Sequence, residues 1–264
     1  MNYGFHLATG GVLQSMRRMD VLANNLSNAS TVGFKPDFVT TRERPAERIE
    51  GQYPLSDPTA LPQELLERLG GGIRFDADRI NLTQGSIERT QSPTDIALKG
   101  EGFFVLADAN DRAPSNRAPV DLTRDGTFVL DTNGTFRRSG DGRAILGEDG
   151  RPITIDTDLP FQIDDDGRVM QDGSEVARIR IVRPKDPASL RKLGGNLLRA
   201  PAVERVPEGK VNVMQMAREE SVVDPIHTMV EMMRQSRLLE ANVRMLQYQD
   251  SLNGQAINGI ARNA

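Results

Sequence analysis

Apolar residues recur at helical spacing at the two ends of the chain and almost nowhere between. In the first 28 residues, Phe5, Ala8, Val12, Met16, Met19, Ala23 and Leu26 step by three or four, which places them on one face of a helix. Gly10 and Gly11 weaken that helix by about 1 kcal/mol each relative to Ala. The stripe runs into Asn24, Asn25, Asn28, Ser30 and Gly33. Asn and Gly tolerate left-handed backbone angles, so the helix is predicted to stop there. Near the other end Asp224 precedes Pro225, a cap followed by proline at the first helical position. Ile226, Met229, Val230, Met233, Leu239, Val243 and Leu246 then form a second stripe, and Ala256, Ile257 and Ile260 extend it as a fraying end.

The middle follows a different rule. From Ile80 to Val182, short alternating runs are broken by Asp125-Gly126, Asn133-Gly134, Asp149-Gly150, Asp166-Gly167 and Asp172-Gly173. Asn-Gly and Asp-Gly between apolar alternations are hairpin signals. The pattern predicts an α+β protein: a discontinuous helical domain from the paired terminal helices (1–35 with 210–264) and a central antiparallel β-rich domain (80–183). A Pro- and Gly-rich connector (36–79), with a short helix at Gln63 to Leu69, joins the first to the second. A second connector (184–209) leads back.

Composition narrows the function. The 264 residues are 38% hydrophobic and carry a net charge of −4, so no basic stripe speaks for nucleic acid. Arg137–Arg138 reads as solvated charge beside a turn. The absence of cysteine excludes disulfides and thiolate metal sites, and suits export into an oxidising space as well as life in a reducing one. The N-terminus lacks the basic region of a secretory signal. The longest strongly apolar run, Phe103 to Ala107, is too short to insert in a membrane. His6 and His227 stand alone on the predicted helices, outside any zinc pattern. Asp164-Asp165-Asp166-Gly167 fails as a calcium loop, because Gln162 and Gly173 fall where ligands belong. No nucleophile elbow or phosphate-binding loop is present. No catalytic residue, cofactor, metal or small-molecule substrate is expected.

The terminal stripes therefore hold the interest. At about 25 cal/mol per Å², seven buried apolar side chains contribute on the order of 10 kcal/mol. Two destinations compete: the stripes pack on each other or on the β-domain, or they seek other subunits. The residues read as an assembly interface are Phe5, Val12, Met16, Met19, Ala23 and Leu26 with Ile226, Met229, Met233, Val243 and Leu246.

A longer pattern speaks for the second destination. Ala23-Asn24-Asn25-Leu26-Ser27-Asn28-Ala29-Ser30-Thr31-Val32-Gly33-Phe34-Lys35 resembles the A-N-N-L-A-N-x-x-T-x-G-F-K signature of the flagellar rod and hook family, with Ser27 replacing Ala. Asp95-Ile96-Ala97-Leu98-Lys99-Gly100-Glu101-Gly102-Phe103-Phe104 and Leu122-Thr123-Arg124-Asp125-Gly126-Thr127-Phe128 resemble its two β-domain motifs. Val223-Asp224-Pro225 and Leu239-Glu240-Ala241-Asn242 resemble its C-terminal helix pattern, although Ser221-Val222-Val223 and Arg237-Leu238-Leu239-Glu240 depart from the usual wording. Within the family, the Asn28-Ala29-Ser30-Thr31 wording is most similar to the proximal-rod branch, with the distal-rod branch next. The resemblance implies a structural rod subunit that polymerises through its terminal helices with copies of itself and other rod subunits. It also implies export by the flagellar type III apparatus without a cleaved signal, a place in the periplasmic rod, and no enzymatic activity. The competing readings are a peptidoglycan-cleaving enzyme, which needs two opposed carboxylates across a cleft, and an adhesin-like β-domain.

Overall fold

The computed structural model describes residues 3–43, 72–107, 119–207 and 209–263. The helix expected at Gln63 to Leu69 lies outside them. The chain divides into two compact units, one of residues 1–26, 37–79 and 225–264, the other of residues 27–36 and 80–224. The backbone thus passes between the units four times.

The first unit holds helix α1 (Tyr3–Ser27), the short strands β1 (Asp37–Phe38), β2 (Thr41–Glu43) and β3 (Ile73–Phe75), and helix α2 (Pro225–Asn263). Strands β2 and β3 pair antiparallel, with Thr41 opposite Phe75. Both terminal helices form where the periodicity put them. α2 continues to Asn263, so the weak pattern after Asp250 marks a real helix. No helix among the described residues is long and apolar enough to cross a membrane.

A short strand, β4 (Arg79–Ile80), leads into the second unit. There the chain forms β5 (Ile87–Arg89), β6 (Ile96–Gly100), β7 (Phe103–Ala107), β8 (Val120–Thr123), β9 (Phe128–Leu130), β10 (Phe136–Arg138) and β11 (Ala144–Ile145). It continues through β12 (Phe161–Ile163), β13 (Arg168–Gln171), β14 (Ser174–Arg178) and β15 (Ile181–Pro184). Five more strands complete it: β16 (Arg191–Gly194), β17 (Leu197–Ala200), β18 (Val203–Arg205), β19 (Val211–Gln215) and β20 (Ala217–Glu219).

The nine-stranded antiparallel sheet is organised about β7. One edge of β7 pairs with β8. The other is shared, with Leu106 and Ala107 meeting β11 and Phe103 and Phe104 meeting β15. The run that is too short for a membrane is therefore a strand buried on both faces, as unbroken apolar strands are. Its side chains alternate: Phe104 and Leu106 enter a core with Ile96, Phe128, Phe136 and Ile145, whereas Phe103, Val105 and Ala107 enter another with Val120, Leu122, Leu198 and Val203.

The Asn-Gly and Asp-Gly signals resolve into several kinds of turn. Asn133-Gly134 closes the β9–β10 hairpin, with Phe136 opposite Leu130. Asp172-Gly173 is a two-residue turn between β13 and β14, with φ of 51° and 75°, the paired positive angles that fit the twist of a hairpin. Asp166-Gly167 joins β12 to β13, so the acidic run is a hairpin turn. Asp125-Gly126 connects strands that are not paired with each other, since β8 pairs with β7 and β17 while β9 pairs with β10.

Two expectations need correction. The segment 184–209, read as a connector, carries β16, β17 and β18, which hydrogen-bond into the large sheet through β8 and β15. Strands of three or four residues studded with Arg191, Lys192, Arg199, Glu204 and Arg205 have too little alternation to stand out. Arg138, read as solvated, has a buried side chain at 2% exposure. Its guanidinium donates to Asp141 and to the Gly195 carbonyl and lies 3.6 Å from Asp125.

Candidate assembly surface

The two terminal helices do not meet through their most apolar residues. The buried side chains are Ala8, Ser15 and Asn25 on α1, and Thr228 and Gln235 on α2. Along α2, Thr228, Met232, Gln235, Leu239, Asn242, Leu246, Gln249 and Asn253 are all buried or half-buried. They step alternately by four and three, the seven-residue repeat of a helix lying along another helix. Every second position of this seam is polar: Thr228, Gln235, Asn242 and Gln249.

Gly11 of α1 meets that seam. A Cβ added to Gly11 would stand 3.0 Å from Asn242 Nδ2, whereas one added to Gly10 would meet nothing within 4 Å. Gly11 thus allows close helix approach, which offsets its cost in helix propensity. α2 has 39 residues against the 25 of α1, a difference of about 20 Å at 1.5 Å per residue.

The expected assembly residues are accordingly split. Leu246 faces the seam, and Val12, Met19 and Leu26 are half-buried. Phe5, Met16, Ala23, Ile226, Met229, Met233 and Val243 are exposed, with Met233 at 57% and Met229 at 49%. Residue counting groups side chains spread over a broad arc, and the contact falls on one margin of that arc, centred on Thr228.

The signature loop after α1 is built by specific hydrogen bonds. Asn25 Nδ2 donates to the Asp37 carbonyl at 2.8 Å, and the Asp37 amide donates back to Asn25 Oδ1 at 3.1 Å. Thr31 Oγ1 donates to Asn28 Oδ1, and the Phe34 amide to the Thr31 carbonyl. Asn24 is exposed and Leu26 half-buried. Gly33 has φ 65°, and a Cβ there would come 2.4 Å from the Arg124 carbonyl. Its amide donates to the Glu219 carbonyl at 2.6 Å. Phe34 is buried under the Lys192 ammonium, 4.3 Å from its ring centroid.

The loop ends in a buried ion network that sequence reasoning missed. Lys35 Nζ donates to Glu219 Oε1 and to the Thr83 carbonyl, both at 2.6 Å. The Gly85 amide donates to the same carboxylate oxygen at 2.8 Å. Arg124 donates to Glu219 Oε2 at 3.0 Å and to the carbonyls of Leu98 and Gly100. Burial pulls the Lys35 ammonium below its ordinary range, and Glu219 opposes that pull. Lys35 and Arg124 both lie in the quoted motifs. Glu219, on β20, carried no signal. One carboxylate thus serves two cations, and Arg124 Nε stays buried without a hydrogen-bond partner. Among the described residues no three His, Asp or Glu side chains gather as a metal-binding group.

Residues 7–35 match the family model described as flagella basal body rod protein. That stretch contains most of α1 and ends on Lys35. Over nearly the whole chain, the flagellar basal-body rod protein FlgF of Caulobacter vibrioides is 29% identical, with 93% of each chain covered. The flagellar basal-body rod protein FlgG of Borreliella burgdorferi is 28% identical, covering 95% of this chain and 96% of its own. The flagellar hook-basal body complex protein FlhO of Bacillus subtilis is 28% identical, covering 98% of each.

Proposed function

Because this chain belongs to the flagellar basal-body rod family, we propose that it is a structural subunit of the rod that assembles through the outward faces of its terminal helices and so passes torque from motor to hook. The observation that carries this reading is the exposure of Met229, Met233, Met16 and Phe5 on helices that bury Thr228, Gln235 and Ser15. Large apolar side chains left in water while polar ones are buried indicate a surface that awaits a partner. In a polymer the partners are other subunits, and a helical, non-closing contact propagates a filament.

The proximal rod is the position we assign, as in FlgF. The 28% identity to a FlgG over 95% of the chain supports a distal-rod place as the second reading. Export through the flagellar type III apparatus without a cleaved signal, and residence in the periplasmic part of the rod, belong to the same proposal. It assigns no catalytic role. Deleting the gene and imaging basal bodies tests it: the expected result is a rod truncated at its proximal segment and restored by the intact chain. Complete rods in the deletion strain would overturn the reading. A truncation at the distal segment would favour the FlgG-like place.

A further inference from the structure

Residues 27–36 belong to the β-rich unit, yet the chain enters them from α1, leaves them into β1, and rejoins that unit only at residue 80. Within the unit, non-covalent contacts alone hold this loop to the body formed by residues 80–224. The Gly33 amide donates to the Glu219 carbonyl, and Asn196 Nδ2 donates to the Val32 carbonyl, both at 2.6 Å. The Asn81 amide donates to the Pro36 carbonyl at 2.8 Å. Phe34 lies under Lys192, and Lys35 reaches Glu219 and the Thr83 carbonyl.

The two sides of this contact are unequal. Without the loop, Glu219 still accepts from the Gly85 amide at 2.8 Å and from Arg124 at 3.0 Å. Asn196 sits on the turn between β16 and β17, where Gly194, Gly195 and Asn196 have φ of 91°, 55° and 60°. Thr123 Oγ1 donates to its carbonyl at 3.0 Å. The body therefore builds the slot from its own strands and turns. Both acceptors of the Lys35 ammonium lie on the body. Glu219 and Arg124 already neutralise each other, so Lys35 brings a second cation to one carboxylate. Desolvation of that ammonium opposes docking, and the net hold of the loop is weaker than its contacts suggest.

We propose that the loop of residues 27–36 is a reversible latch, which opens and recloses as one piece on a β-rich body that stays folded, with Lys35 on Glu219 as its catch. Segments of a native protein open independently where they close on a framework that stands without them. Opening releases residues that span up to about 35 Å when extended, so α1 gains a longer tether while the sheet stays intact. The latch goes beyond the rod reading and is tested on the isolated chain.

The test is residue-resolved native-state hydrogen exchange of the full chain, followed by NMR at increasing urea below the unfolding transition. After correction for intrinsic rates, the Gly33 amide should exchange at least about tenfold faster than the slowest amides of β7. Its rate should also depend less on urea, because opening the loop exposes less surface than unfolding the sheet. The Gly85 amide, which donates to the same carboxylate from the body, should follow β7. One common rate and urea slope for Gly33 and β7 overturns the proposal, as does Gly85 opening together with Gly33. Lys35→Met should speed exchange at Gly33 at least about threefold. An unchanged Gly33 rate in that variant overturns Lys35 as the catch.

Discussion

Lys35 and Glu219 are separated by 184 residues of chain and by 2.6 Å in the fold, with side chains only 2% and 1% exposed. A buried pair of this kind is costly to break on one side, because the remaining charge is stranded in a low-dielectric interior. Glu219 is the shared partner of Lys35 and Arg124, so it is the more damaging one to remove. Glu219→Gln is expected to destabilise the chain by about 3–5 kcal/mol. Lys35→Met, which leaves Glu219 paired with Arg124, should cost less. Urea melts of the two variants against the parent decide the order.

Gly33 offers a steric test beside the same network. Its φ of 65° and the Arg124 carbonyl 2.4 Å from a would-be Cβ act together. Gly33→Ala is expected to cost about 3 kcal/mol or more. Gly173→Ala has a similar φ of 75° but meets nothing within 4 Å, so it should cost about 1 kcal/mol. Equal melting shifts would show that backbone angle alone governs both sites.

Met233 and Arg234 separate assembly from stability. Met233 is exposed, and Arg234 pairs with Glu231 at 2.9 Å in the open. Neither Met233→Asp nor Arg234→Asp should change the stability of the isolated chain by more than about 0.5 kcal/mol. Met233→Asp should nonetheless block entry into the rod, because the carboxylate would be desolvated on assembly without a partner. Arg234→Asp should be milder. Motility and subunit incorporation measure the contrast.

The acid limb of stability should report Asp121. Burial alone would raise this carboxyl, but hydrogen bonds from Arg199 and Arg143 and the charges of both hold it below the usual carboxylate range. A folded value below the unfolded one means that the native state binds the proton less tightly. Its stabilisation is therefore complete above about pH 4 and is lost as pH falls through the folded value. Asp121→Asn should lower stability at neutral pH and flatten the decline below about pH 4. Thermal melts across that range read both effects.

Domain boundaries follow from the sheet. A fragment of residues 80–183 lacks β16, β17 and β18, which pair with β8 and β15, and should melt without cooperativity. Residues 80–224 restore those strands and the Arg124–Glu219 pair and should give a cooperative transition. Dispersed amide spectra from the shorter fragment would refute this boundary.

Much of the fold was legible because its signals are local. Asp172-Gly173 and Asn133-Gly134 write their hairpins in two residues each, and the terminal helices are long enough for periodicity to show. The rotation of α2 was not legible. Apolar residues occupy three of its faces, so periodicity alone does not tell which face meets α1, and the polar identities of Thr228, Gln235 and Asn242 argued against the true one. Glu219 was invisible for another reason. A carboxylate on a three-residue strand acquires its meaning from Lys35 and Arg124, and no spacing rule joins positions so distant. Arg138 was misread because an arginine next to a turn is ordinarily solvated, whereas here Asp125, Asp141 and a backbone carbonyl take the place of water.

The four passages of backbone between the two units carry a mechanical consequence. Two compact bodies joined by one tether can swivel, and a twisting load would concentrate on a single length of chain. Here the covalent chain crosses after residues 26, 36, 79 and 224, so a load applied to one unit reaches the other along four covalent routes in parallel.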